Sequence, residues 1–464
     1  MRGFLASSVG VTCAAALALP LALSAPAQAL PQAAKTEPAV PGSTQSLPLV
    51  PLGDDRGLGP AAPEQGVARR AVRSFSLVGV IWDDPDTELR GRVQVRTRAF
   101  GTAHWTGWQD IETHNHEHGA DPDTAESGSG RVRGSTAPLW VGDSDGVEVR
   151  VQAAVDERST SPGESPLPRG MHLELVDPDG GPRSEAAPTT GGRTAGWNAG
   201  TGSATTVAAP VVDAAAATAS AREATAANAG LAPLGATVIP ALSKARTERE
   251  YLAAHPGEPR AKPYIGARPR IVTRRGWGAD EGLRERGSVY TKKVKAAFVH
   301  HTASGNNYRC SQASSVIRSI YRYHVKSSGW RDIGYNFLVD KCGNIYEGRA
   351  GGVAKPVMGA HTLGFNSDTM GIAVLGSFAR TKPAAAALKA IGRLTAWKLG
   401  LYGVDPRGKT YLKSAGGNLY RKGKNVRLNV ISGHRDGFAT ECPGRLLYGK
   451  LGSARTTAAR YQGR

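Results

Sequence analysis

Two parts of the chain carry regular patterns of apolar and polar positions, and the patterns differ. Between residues 73 and 180, "FSLVGVIW", "GRVQVRTRAF", "TGWQDI", "PLWVGD" and "GVEVRVQAAV" alternate with period two, separated by Gly, Asp and Pro turns. They read as the strands of an all-β unit, for which a small sandwich is the natural packing solution. From residue 263 the periods mix. "KAAFVH" and "MGIAVLGSF" read as strands, and "IGYNFLVDKCGNIYEGR" as a hairpin turning at Cys342-Gly343-Asn344. "SQASSVIRSIYRYHVKS" sets Val316, Ile320 and Tyr323 at helical spacing, with Ser311 available as a cap. Pro383 opens a long helix in "PAAAALKAIGRLTAWKLGL", and "PGRLLYGKL" starts a shorter one. The expected fold class is α/β: a mixed central sheet flanked by helices, with a separate N-terminal all-β sandwich-like domain.

The remaining stretches lack such periodicity. Residues 30–72 are rich in Pro and Ala and residues 181–262 in Ala, Thr and Gly, so both read as linkers; a short helix fits around Ala214 to Asn228. At the start, Arg2, an apolar run from Val11 to Leu23 and Ala27-Gln28-Ala29 have the form of a secretory signal over residues 1–29. No later stretch approaches the roughly 18 apolar residues of a membrane helix. The expected product is an exported, soluble chain, without a membrane span and acting as a monomer, with an all-β domain of unknown ligand over 73–180 and an α/β domain over 263–464.

Charge sharpens that division. Residues 263–464 hold 35 Lys and Arg against 10 Asp and Glu, a net of +25, which leaves −6 of the chain's +19 for everything before them. A basic unit suits a polyanionic setting. Export and the lack of any nucleic-acid motif favour a wall carrying anionic polymers over nucleic acid.

Export also changes the cysteine count. Cys13 leaves with the signal, and Cys310, Cys342 and Cys442 remain. Two of the three can pair, and the odd one needs a reason to stay reduced. Metal ligation supplies one. Catalytic zinc takes three protein ligands and keeps one position open. His300 at a strand mouth, His434 in "ISGHRDG" and Cys442 in "ATECPG" would supply two imidazoles and a thiolate, although their spacing is looser than a CxxC pair. Two other features read as ordinary. Trp82, Trp105, Trp108 and Trp140 fit core or edge packing better than a carbohydrate platform. "THNHEH" sets His114, His116 and His118 at alternate positions, a tract able to bind metal, but no carboxylate or cysteine frame surrounds it and a loose loop follows.

In order along the chain, "IVTRRGWGADE", "FVHHTA", "GWRDIGYNFLVD", "IYEGR", "GAHTLGFN", "MGIAVLGSF" and "GHRDGFATECPG" resemble the peptidoglycan recognition protein family. That family is related to the zinc-dependent N-acetylmuramoyl-L-alanine amidases of the phage lysozyme-like group. The resemblance covers about residues 263–455; "HTASGNNYRCSQ" and "AWKLGLYGVDPRG" look like its secreted actinobacterial branch. It implies a Zn2+ cofactor held by His300, His434 and Cys442, with Tyr335 as the catalytic tyrosine beside it. Thr440 stands where the phage enzyme has lysine and many eukaryotic amidases of the family have threonine. The resemblance implies peptidoglycan and muropeptides as partners, with His301, Thr302, His361, Thr362 and Asn366 as groove-lining candidates. It also favours a Cys310–Cys342 disulfide. Where many relatives follow "YEGR" with Gly-Trp, this chain has Ala350-Gly351-Gly352, so that dipeptide does not reveal the preferred stem peptide. The implied activity is hydrolysis of the amide between the muramic acid lactyl group and L-alanine. The alternative is a module that recognises peptidoglycan without cutting it, and retention of Cys442 argues against that.

Overall fold

Period-two segments do become strands, and the two at Glu64–Trp82 and Leu139–Ala153 run longer than their sequence breaks suggest. The computed structural model describes residues 42–52, 64–113, 115–154, 167–180, 219–256 and 263–464. The expected signal over 1–29 lies outside them. The N-terminal strands are β1 (Ser43–Pro48), β2 (Val50–Pro51), β3 (Glu64–Trp82), β4 (Gly91–Ala99), β5 (Gln109–Ile111), β6 (Gly134–Ser135), β7 (Leu139–Ala153) and β8 (His172–Asp177). They form one hydrogen-bonded sheet in the order β1-β8-β3-β7-β4-β5, with β2 and β6 also pairing with β3. "PLWVGD" and "GVEVRVQAAV", expected as two strands, are the single strand β7. Register shifts against β3 absorb the polar break between them. Val78, Val80, Trp82, Val93, Val95, Val149 and Leu173 fill this unit's own core.

The C-terminal sheet runs β17-β11-β14-β12-β13-β10-β9. Its members are β9 (Val238–Ile239), β10 (Ile271–Val272), β11 (Ala296–His301), β12 (Phe337–Val339), β13 (Ile345–Glu347), β14 (Thr369–Val374) and β17 (Ile431–Gly433), while β15 (Lys409–Lys413) and β16 (Asn425–Asn429) make a separate hairpin. Strand β11 lies parallel between β14 and β17 with every residue buried, as expected for a strand covered on both faces. The helices are α1 (Ala219–Ala226), α2 (Lys244–Ala254), α3 (Arg274–Trp277), α4 (Ala313–Arg322, continued by a π-turn at Tyr323–Ser327), α5 (Ala385–Gly400), α6 (Arg445–Tyr448) and α7 (Leu451–Gln462). A disulfide joins Cys310, just before α4, to Cys342 at the β12–β13 turn.

Two expected linkers need correction. Residues 43–48, read as part of a linker over 30–72, are strand β1, held by backbone pairing with β8 and by Leu47 packed against the core. The segment 219–256, read as part of the second linker, supplies α1, which lies inside the helix expected around Ala214 to Asn228, and also β9 and α2, which were not expected; Ile239 is fully buried at the edge of the C-terminal sheet. Its short elements acquire an apolar face only in company with that sheet. Trp82 and Trp140 are buried, Trp105 lies under Arg69, and Trp108 under Arg96 and Arg150. These contacts account for all four tryptophans as packing.

The two sheets stay distinct, but their facing sides share one apolar cluster. Alternation on β3 sends Val78 and Val80 inward and Leu77 and Ile81 outward, where they meet Trp140, Val176 and the Val316, Ile320 and Tyr323 side of α4. Gly79 sits on that outward face. A Cβ there would stand 2.4 Å from the Tyr323 hydroxyl, so only glycine admits this approach. The hydroxyl donates towards the carbonyls of Thr136 (3.1 Å) and Val80 (3.3 Å).

Candidate metal centre

Strand alternation decides which of two adjacent histidines faces the site. On β11, Phe298 and His300 share one side and Val299 and His301 the other. His434 follows β17, the parallel neighbour of β11. Asp436 fixes the turn that carries it, accepting the Gly433 N–H at 2.9 Å and the Tyr448 hydroxyl at 2.6 Å. The chain then doubles back, and the Arg435 N–H donates to the Cys442 carbonyl at 3.0 Å. Eight residues thus bring Cys442 Sγ to 3.9 Å from His300 Nδ1, where it also accepts the His301 N–H at 3.4 Å.

A fourth side chain enters from the other sheet. His118, on the segment between β5 and β6, places Nε2 3.8 Å from Cys442 Sγ. The ligand-type atoms of His118, His300, His434 and Cys442 all lie within 4.8 Å of one another, and all four residues are buried. A tetrahedral zinc with bonds of about 2.0–2.3 Å holds its ligand atoms about 3.4–3.8 Å apart, close to the two Cys442 contacts at 3.8 and 3.9 Å.

The chemistry of the donor set fits a cation. Neither ring nitrogen of His434 nor Nδ1 of His118 has a hydrogen-bond partner of ordinary geometry, the Glu117 main chain being only a weak neighbour of His434. A buried polar group left so costs about 1–3 kcal/mol, and coordination removes that cost. Burial first, then mutual repulsion, pushes the pKa of His118, His300 and His434 well below the ordinary value, so the rings are neutral, as ligands must be. Burial pushes the Cys442 thiol up, which disfavours a thiolate in a site without a cation. A divalent ion reverses that balance, and the His301 N–H already points at the sulfur.

Behind the ligands, His300 Nε2 lies 3.3 Å from His361 Nδ1 and 3.4 Å from Thr362 Oγ1, which leaves Nδ1 facing the centre. Asn366 Oδ1 accepts the N–H groups of His361 (2.7 Å) and Thr362 (3.1 Å). These three residues, expected along a groove wall, are fully buried. The wall is covered: Asn366 Nδ2 donates to the Gly119 carbonyl and to Asp121 of the N-terminal unit. His301 and Thr302 stand beside the ligand set and line the same small cavity as Tyr335, Thr440 and Cys442. His301 Nδ1 accepts the Phe378 N–H at 3.4 Å, and Thr302 Oγ1 accepts the Gly376 N–H at 3.0 Å. The Tyr335 ring stands 5.6 Å from that of His300 and 5.8 Å from that of His118. Thr440 Oγ1 accepts the Cys442 N–H and donates to Glu117 at 2.8 Å. A residual cavity of about 10 Å³ between Tyr335, Thr440, Cys442, Glu117 and His118 has room for about one water.

Reasoning from sequence missed His118 as a member of this group. Its signal was the alternating "THNHEH", set aside because the partners that frame it lie far along the chain. Of that tract, His116 packs edge-on against Phe438 and lies near Glu88 and Glu117, and His114 falls outside the described residues.

Comparison with known proteins agrees with the division into two units. Residues 290–445 match the family described as N-acetylmuramoyl-L-alanine amidase, and residues 29–169 match one described as Rv3811 N-terminal galactose-binding domain-like. Peptidoglycan-recognition protein SC2 of Drosophila simulans is 31% identical over 183 residues, 39% of this chain and 84% of that protein. A human N-acetylmuramoyl-L-alanine amidase is 31% identical over 205 residues, 43% of this chain and 31% of that protein. A solved structure of peptidoglycan recognition protein-LE with tracheal cytotoxin aligns at 32% identity and a TM-score of 0.31, covering 39% of this chain and 92% of that one. The chain belongs to the family of peptidoglycan recognition proteins and N-acetylmuramoyl-L-alanine amidases.

Proposed function

We propose that the protein is a secreted zinc amidase that hydrolyses the amide between the muramic acid lactyl group and L-alanine of the peptidoglycan stem. The observation that carries this reading is the convergence of His300, His434 and Cys442 on one point beside Tyr335. Zinc held there supplies Lewis acidity and lowers the pKa of water towards about 7. The chain's own residues do the rest. His361 and Thr362 hold the His300 ring in place. Burial, with smaller contributions from Cys442 and Glu117, pushes the Tyr335 phenol well above its ordinary pKa. It keeps its proton and can donate a hydrogen bond to the oxyanion that develops on the scissile carbonyl, a contribution of about 3 kcal/mol at such positions. Thr440, two residues before Cys442, would position water or the departing amine once its hydroxyl is released from Glu117.

Peptidoglycan is the proposed partner, and the basic C-terminal unit favours anionic wall polymers beside it. Arg270, Lys389, Arg393 and Arg460 line an open pocket of about 750 Å³ on that unit. No helix among the described residues is long and apolar enough to cross a membrane. One observation favours the competing reading, recognition without cleavage: a fourth ligand-type side chain, His118, fills the centre.

The test is digestion of purified peptidoglycan by zinc-loaded protein, both the intact chain and an Asp121→Ala/Glu126→Ala variant, which loosens the segment over the site by removing the Asp121–Asn366 and Glu126–Arg349 contacts. Mass spectrometry should find stem peptides with a free L-alanine amino group and intact glycan chains. Cys442→Ser, which lacks a good zinc ligand, should release none. No free stems from either the chain or the loosened variant would sink the amidase reading.

A further inference from the structure

We infer that the segment from Asn115 to Glu126 is a built-in inhibitor, and that His118 closes the metal centre as a fourth protein ligand. The consequence for catalysis rests on the amidase reading above; the ligand assignment does not. Catalytic zinc keeps a position open for water or substrate, whereas four protein ligands make a closed, structural set. His118 supplies that fourth ligand. Its Nε2 reaches Cys442 Sγ at 3.8 Å, and its ring lies 4.5 Å from that of His434, centroid to centroid. Its Nδ1 is buried with no partner, which leaves the contact of Nε2 with Cys442 Sγ to hold the ring.

The rest of the segment is tied along the same face. Glu117 accepts from Thr440 Oγ1 through its carboxylate and from the Leu363 N–H through its carbonyl. Asp121 accepts the Gly364 N–H at 2.8 Å and Asn366 Nδ2 at 2.7 Å. Asp123 pairs with Lys422. Glu126 takes both terminal nitrogens of Arg349 at 2.8 Å each, a fork-to-fork pair with both side chains buried. Four carboxylates of one short segment therefore meet the basic unit, three of them buried. Together they cover the metal side chains, Tyr335, Thr440 and the Asn366 loop. A stem peptide reaches none of these groups until the segment leaves.

Two measurements on the zinc-loaded full chain separate the parts of this inference. Zinc-edge X-ray absorption should show three nitrogens and one sulfur in the parent. His118→Ala should show two nitrogens, one sulfur and a solvent oxygen. Binding of a fluorescent muramoyl-pentapeptide should be at least tenfold tighter to His118→Ala and to Asp121→Ala/Glu126→Ala than to the parent. The double variant keeps all four ligand-type side chains and serves if His118→Ala fails to fold. A solvent oxygen on zinc in the parent overturns the ligand assignment. Equal muropeptide affinity in parent and variants overturns the inhibitory role. Tighter binding without bond cleavage in either variant supports the cover and counts against the amidase reading alone.

Discussion

At the scale of single residues, the metal centre turns on which atoms are left without partners. Tyr335 is the sharpest case, because its ring and its hydroxyl have separable roles. The ring packs beside His300 and His118, while the hydroxyl is the group proposed to act on the oxyanion. Tyr335→Phe in the loosened variant should keep full zinc stoichiometry by elemental analysis and lose about 10²–10³-fold in stem-peptide release. Turnover within twofold would remove the hydroxyl from the mechanism. Much at this scale was legible in sequence. Cys442 needed a reason to be free, and that reason pointed to His434 and His300. His118 was not legible, because an imidazole becomes a metal ligand only through neighbours that the fold assembles.

At the scale of elements, patterns that repeat over several residues were readable and short pieces were not. Strand β11, the β12–β13 hairpin and helices α4 and α5 carry their own periodicity. The segment 219–256 does not, yet it is tied to the sheet through Glu347 on β13. That carboxylate accepts Asn228 Nδ2 at 2.8 Å and the Arg274 N–H at 3.1 Å. Burial, only partly offset by Asn228 and Arg274, pushes its pKa from 4.5 up to about 7. A raised pKa means that the folded state holds the proton longer than the unfolded chain. Its stabilising effect is complete below about pH 4.5 and is lost as pH rises through 7, on the order of 3 kcal/mol in all. Buried His118, His300 and His434, with lowered pKa, shift stability the opposite way over the same range, so the effect is read from urea unfolding at pH 5 and pH 8 as the parent compared with Glu347→Gln. The variant should lose less stability, or gain more, between pH 5 and pH 8 than the parent does. An unchanged slope in the variant would assign the pH dependence elsewhere.

At the scale of the whole molecule, the opposed charges of the two units and the apolar contact of β3 and β7 with α4 hold the N-terminal unit over the metal centre. Gly79 is a point of close approach in that contact. Gly79→Val should push Tyr323 away and loosen the docking without touching any metal side chain. In metal-free protein, Cys442, the one free cysteine among the described residues, should then react with maleimide at least tenfold faster than in the parent. Equal protection would show that the segment around His118 stays down without the docked sheet behind it.

The cluster around Tyr323 has a further consequence, for how the protein melts. Leu77, Ile81, Trp140 and Val176 on one side and Val316, Ile320 and Tyr323 on the other form a single apolar core, so separating the sheets exposes it from both sides at once. Chains with two sheets in separate cores commonly give two heat-absorption peaks, because each core unfolds alone. Each sheet also keeps a core of its own, and this shared cluster is what couples the unfolding of one to the other. Scanning calorimetry should therefore record one cooperative transition for the parent, and Gly79→Val should divide it into two.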